Sequence, residues 1–146
     1  MRNKRWIATA VAIIMLVIGW FAGVQLALAD NREQLAQKYA ALAGSPAAAG
    51  TLVNGIGEGT PFRIGATQFA PPTGKMSESS IDAVLTLAQA KLRQQGIAQP
   101  TPEQLRGVLI GDPQHPGVLA LRAEGKGWAQ VARGMELRPG DVIRHH

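Results

Sequence analysis

Residues 79–96 read SSIDAVLTLAQAKLRQQG, and this stretch decides the fold class. Ile81, Val84, Leu85, Ala88 and Leu92 recur at three- and four-residue steps, which lines one face of an α-helix and fits no strand. Ser79 or Ser80 can cap its start, and Gly96 supplies the left-handed residue that commonly ends a helix. The spacing therefore predicts a helix to about Gln95. Downstream, Thr101-Pro102-Glu103-Gln104 combines an N-cap, a proline at the first helical position and a glutamine placed to reach back as in a capping box. That second helix, with Leu105, Val108 and Leu109 inward, is expected to end near Gly111, where Gly111 to Pro116 reads as a turn. A third helix is predicted over about Pro116 to Glu124. Gly125-Lys126-Gly127 stops it, and Trp128 to Arg133 adds one or two further turns with Trp128, Val131 and Ala132 inward. The fold class is mainly α, with a C-terminal module of three to four short helices over residues 77–146.

Upstream the pattern weakens. Residues 44–76 hold seven glycines and four prolines, a composition that breaks helices and costs backbone entropy on ordering. It is read as a Gly/Pro-rich linker in which Thr51-Leu52-Val53 and Phe62-Arg63-Ile64 could pair as a small hairpin. Gly55, Gly57 and Gly59 alternate without the Gly-Lys-Ser/Thr of a phosphate loop, so no nucleotide site is inferred. Residues 30–43 fit a short amphipathic helix capped by Asp30 or Asn31, with Leu35, Ala36, Tyr39, Ala40 and Leu42 among polar residues. The apolar set of residues 77–146 is small for an independent core, so packing by a partner, by a second copy or by the preceding region is expected.

The first 29 residues set the compartment. Arg2, Lys4 and Arg5 precede an almost wholly apolar run from Trp6 to Leu28, and Ala27-Leu28-Ala29 forms a small-x-small site before Asp30. This is the layout of a secretory signal cleaved before Asp30, giving a periplasmic or otherwise extracytoplasmic protein. The alternative is a retained inner-membrane anchor with the body exported, because about 20 apolar residues suffice to span a bilayer. The chain carries 15 Lys and Arg against 10 Asp and Glu. Three of the basic residues lie before Asp30, leaving twelve against ten, and so mild an excess does not by itself point to a polyanion. The chain has no cysteine, which excludes disulfides, thiolate metal sites and cysteine nucleophiles.

No constellation for catalysis is apparent. Ser77, Ser79 and Ser80 read as caps, while Glu124, Glu136 and Asp141 are scattered among basic residues as on a solvated surface. His115 lies in a turn near Asp112, and His145 and His146 end the sequence without the helical spacing of a metal pair. No cofactor, no metal and no small-molecule substrate is expected, and the protein is read as not an enzyme.

Two resemblances follow from named residues. Val131, Ala132, Met135, Leu137 and Val142 fall where the helix-turn-helix pattern of DNA-binding proteins has its buried positions, with Arg138-Pro139 where a recognition helix would start. Glu136 departs from the glycine common in that turn, and few residues remain to fill a groove. Second, Arg122, Gly125, Gly127, Trp128, Val131 and Ala132 match an Arg-x-x-Gly-x-Gly-Trp-x-x-Ile/Val-Ala signature. The stretches 80–104 and 117–132 thus resemble a group of uncharacterised exported bacterial proteins, with Lys126 and Ala129 where Met and Gly are usual. That resemblance implies export and a helical C-terminal module, and carries no activity.

The sequence is therefore read as an exported envelope protein with a non-catalytic interaction or structural module that binds another envelope protein or itself. Membrane contact is expected only if the N-terminal segment is retained. Arg122, Trp128, Arg133 and Arg138 are the interface candidates: an aromatic anchor with arginines able to form forked hydrogen bonds. Nucleic-acid binding through the C-terminal segment is the alternative.

Overall fold

The computed structural model describes residues 31–138. Residues 1–29, expected to be a signal or an anchor, together with Asp30, Val142, His145 and His146, lie outside the described residues. No helix among the described residues is long and apolar enough to cross a membrane.

The described residues form seven helices and one hairpin: α1 over 31–38, α2 Ala40–Ala43, α3 Pro46–Glu58, β1 Phe62–Ile64, β2 Thr67–Phe69, α4 Glu78–Gln94, α5 Pro102–Leu109, α6 Val118–Ala123 and α7 Trp128–Gly134. The chain is mainly helical, as its periodicity requires. Ser77 caps α4 by accepting from the Ser80 N–H, two or three residues earlier than expected. Thr101 and Gln104 form both halves of the capping box of α5.

α4 is the central element and packs against α3, α5 and α6. Its expected stripe, Ile81, Val84, Leu85, Ala88 and Leu92, is buried, and so are Leu87 and Ala90. A helix buried beyond one stripe needs neighbours on more than one side. One of those neighbours is α3, which lies in the stretch expected to be a linker.

This corrects the reading of residues 44–76. Ser45 accepts from the Ala48 N–H, Pro46 occupies the first turn, and Ala49, Leu52, Val53 and Ile56 repeat at helical spacing; all four are fully buried. The glycines permit close packing here instead of breaking the helix. A Cβ at Gly55 would lie 2.0 Å from the Phe62 ring, and one at Gly57 would lie 3.0 Å from Ile81. Thr51-Leu52-Val53 is helical, so it cannot be the hairpin partner expected of it. Phe62–Ile64 pairs instead with Thr67–Phe69, in the register Phe62 with Phe69, Arg63 with Gln68 and Ile64 with Thr67. The Phe62 and Phe69 rings stack at 4.8 Å, and Thr67 Oγ1 donates to Glu103 Oε1 at 2.9 Å, tying the hairpin to α5. The folded unit begins at Arg32, so the module expected over 77–146 shares one core with residues 36–69.

Two polar clusters bind the first helices to the rest. Arg32 donates to Asn54 Oδ1 at 2.9 Å and to Glu58 Oε1 at 3.0 Å, clasping α1 to α3. Tyr39, 1% exposed, donates its phenol to Asp82 Oδ1 at 2.5 Å, and its oxygen lies 2.9 Å from Thr86 Oγ1. Lys38 Nζ donates to the same Asp82 oxygen at 2.8 Å. Burial, and then the Asp82 carboxylate, push the Tyr39 phenol above its ordinary range. The hydrogen bond to Asp82 raises Lys38 likewise. Both groups hold their protons more firmly folded than unfolded, so their contribution is complete below about pH 10, the ordinary range of both, and is lost as pH rises through the folded values. Tm should be level from neutral pH to about pH 9.5 and fall above about pH 10. Tyr39→Phe should cost about 1–2 kcal/mol by urea denaturation and flatten part of the alkaline decline.

Candidate functional site

The α6–α7 corner gathers two of the four interface candidates. Gly125 has φ +83° at the end of α6, and Gly127 begins α7 with its N–H donating to Gln130 Oε1 at 3.2 Å. Arg122 bridges the loop by donating from Nη1 to the Lys126 carbonyl at 2.8 Å. Its guanidinium lies 4.3 Å from the centre of the Trp128 ring, a cation–π contact. Trp128 is half-buried against the core and Val131 is fully buried. These residues share one loop: Arg122 bridges it, Gly125 turns it in the left-handed conformation, and the Trp128 ring packs against the core beside it.

Arg133 is exposed on α7, five residues beyond Trp128 and hence about 140° around the helix from it. Arg138 is exposed beyond the end of α7. The fold therefore joins Arg122 with Trp128 and sets Arg133 on another side of α7.

A second feature was not legible in the sequence. Between the C-terminal half of α4, α5, the α5–α6 loop and the end of α7 lies an open cleft of about 500 Å³. Lys91 and Gln95 of α4 form one wall, and Gln104 and Val108 of α5 form another. The loop contributes Gln114, His115 and Gly117, and the third wall is Met135 and Glu136. The loop is stiff for its length. Gly111 and Pro116 form an isolated antiparallel bridge, and Asp112 Oδ1 accepts from the backbone N–H groups of His115 at 2.7 Å and Gln114 at 2.8 Å. Those N–H donors, the His115 one foremost, hold the Asp112 carboxyl below its ordinary range.

The turn after α7 forms the third wall. Leu137 N–H donates to the Ala132 carbonyl at 2.9 Å and Glu136 N–H to the Arg133 carbonyl at 3.0 Å, the paired bonds of a Schellman ending. Glu136 occupies the left-handed position with φ +59°, the one non-glycine residue to do so among the described residues. Two α4 side chains hold this turn: Lys91 Nζ donates to the Met135 carbonyl at 2.8 Å, and Gln94 Nε2 donates to the Glu136 carbonyl at 2.9 Å. Val131, Met135 and Leu137, three of the helix-turn-helix positions, are buried, and Ala132 packs against the core. Val142 lies outside the described residues.

Among the described residues no group of three His, Asp or Glu side chains gathers as a metal site would require. Comparison of the chain with protein families, with characterised proteins and with solved structures found no match.

Proposed function

We propose that this chain is an exported, non-catalytic protein-interaction module of the cell envelope, with the α6–α7 corner as part of its contact surface. The observation that carries the reading is the pair formed by Arg122 and Trp128. The ring is only half-buried, and the guanidinium laid over it at 4.3 Å fixes both side chains before any partner arrives. Such pre-ordering lowers the entropy cost of association, and tryptophan and arginine dominate interface energetics. The partner is another envelope protein or a second copy of the chain.

Photo-crosslinking in cells from positions 129 and 133, on the exposed surface of α7, tests this, with fractionation and intact-mass measurement of the adduct. A discrete adduct in the envelope fraction that is lost with Arg122→Ala, while folding persists, is the expected result. Absence of any adduct from both positions, or an adduct confined to the cytoplasm, would sink the proposal.

The left-handed turn at Glu136 and the buried set Val131, Met135 and Leu137 favour a second reading, nucleic-acid binding through the segment from Val131 onward. Its signature is duplex-DNA affinity that falls steeply with salt as counterions are released. Salt-insensitive or absent DNA binding removes it.

A further inference from the structure

Glu136 departs from the pattern at the ends of α2 to α6. The helices α2 to α6 each end on or beside a glycine of positive φ, namely Gly44, Gly59, Gly96, Gly111 and Gly125. Only α7 places a side chain in that disfavoured conformation. Backbone strain of this kind persists where surrounding structure over-determines it, and it concentrates at binding sites. The surroundings here do so, since Lys91 and Gln94 hold the two turn carbonyls. The Glu136 carboxylate itself makes no ion pair or hydrogen bond among the described residues, and Glu136 lines the cleft. The Lys91 ammonium does not neutralise it, being directed to the Met135 carbonyl and to Gln94 Oε1.

The other walls carry three neutral amides, Gln95, Gln104 and Gln114, beside Lys91, His115 and Val108. Gln95 and Gln114 make no side-chain hydrogen bond among the described residues, and Gln104 has its oxygen taken by the Thr101 N–H, which leaves its NH₂ group to donate. Primary amides offer donors and acceptors together, matching the alternating N–H and C=O of an extended main chain. A carboxylate that has no ion pair among the described residues, set beside such amides, matches a cation carried on that chain.

We propose that this cleft binds an extended peptide segment of a partner protein, with Glu136 receiving a lysine or arginine side chain of that segment. The proposal rests on the protein-interaction reading above and supplies the chemistry of the partner.

The test uses the full chain and three blocked, alanine-rich pentapeptides carrying a central lysine, arginine or glutamate, titrated while the amide resonances of Gly107, Gly117 and Gly134 are followed by NMR. The lysine and arginine peptides should bind roughly tenfold more tightly than the glutamate peptide. Glu136→Gln should abolish that preference at unchanged Tm. Glu136→Gly should abolish it while raising Tm by a few degrees, because the strain is relieved as the carboxylate is lost. Equal affinity for all three peptides, a preference that survives both variants, or no binding up to about 10 mM peptide overturns the proposal. If the peptides fail while the α7 adduct still forms, the cleft is not the contact surface and the interaction reading stands. If the adduct is absent as well, both fall.

Discussion

A chain beginning at Ser77 should not fold cooperatively, whereas one beginning at Arg32 should. Among the described residues, ten of the 26 buried apolar ones precede Ser77, including Tyr39, Leu42, Leu52, Val53, Ile56, Ile64 and Phe69. Burial of seven side chains of that size contributes roughly 10 to 20 kcal/mol, as much as the whole net stability of an ordinary domain, about 5–15 kcal/mol. Their removal also leaves exposed the α4 surface that packs against α3. The shortened chain should keep some helical signal by circular dichroism, lose near-ultraviolet structure and melt without a sharp transition. Cooperative, concentration-independent unfolding of residues 77–146 as a monomer would show that α3 is dispensable to the core.

Gly117→Ala should be the most costly of the small substitutions around the cleft. The added Cβ would lie 2.4 Å from the Leu109 carbonyl carbon, 2.5 Å from its oxygen and 2.6 Å from the Ile110 nitrogen. All three are main-chain atoms, so no side-chain rotation relieves the clash. Relief requires parting the Gly117 N–H from the Ile110 carbonyl, a bond of 3.1 Å, and shifting the loop away from α5. The expected loss is about 3 kcal/mol, the upper range for overpacking. Gly107→Ala is the matched control. It stands in the same α5 helix that Gly117 abuts, and a Cβ there would have nothing within 4 Å. That change should stabilise by roughly 0.5–1 kcal/mol through helix propensity. If the two substitutions had equal effects in urea denaturation, the close approach of the loop to α5 would be wrong.

The helices α4 and α5 were legible because capping residues and apolar period agree in each of them, whereas α6 and α7 showed through their apolar spacing and flanking glycines. Thr101 and Gln104 announce α5, and the step pattern from Ile81 to Leu92 announces α4. Helix α3 was hidden by its glycines. Counted as composition, Gly50, Gly55, Gly57 and Gly59 argue for a linker, yet Ser45, Pro46 and the buried series Ala49, Leu52, Val53 and Ile56 carry the ordinary signals of a helix start and face. What sequence alone does not reveal is that Phe62 folds back onto Gly55, since that contact depends on the hairpin turning at Gly65. The sequence offers Arg122 and Trp128 as interface candidates, and the structure brings the two side chains together. Their role in closing a loop depends on a hydrogen bond to the Lys126 carbonyl, which no pattern of residue types encodes. The cleft was not legible at all. Its walls come from three helices and a loop, and in the sequence Glu136 is one of several scattered charges, set apart only by its backbone conformation.

The placement of α4 also governs when the chain can fold during its own synthesis. Of the described residues, translation delivers 31–58 first, but Tyr39 must wait for Asp82, forty-three residues later, before its hydroxyl has a partner, and the inner face of α3 must wait for the same helix. The early segment thus has no complete core to close upon as it emerges, and the final helices reach α4 only afterwards. A polypeptide built this way cannot close its core until most of it has been made, so its folding is set by contacts far apart in the sequence rather than by neighbours.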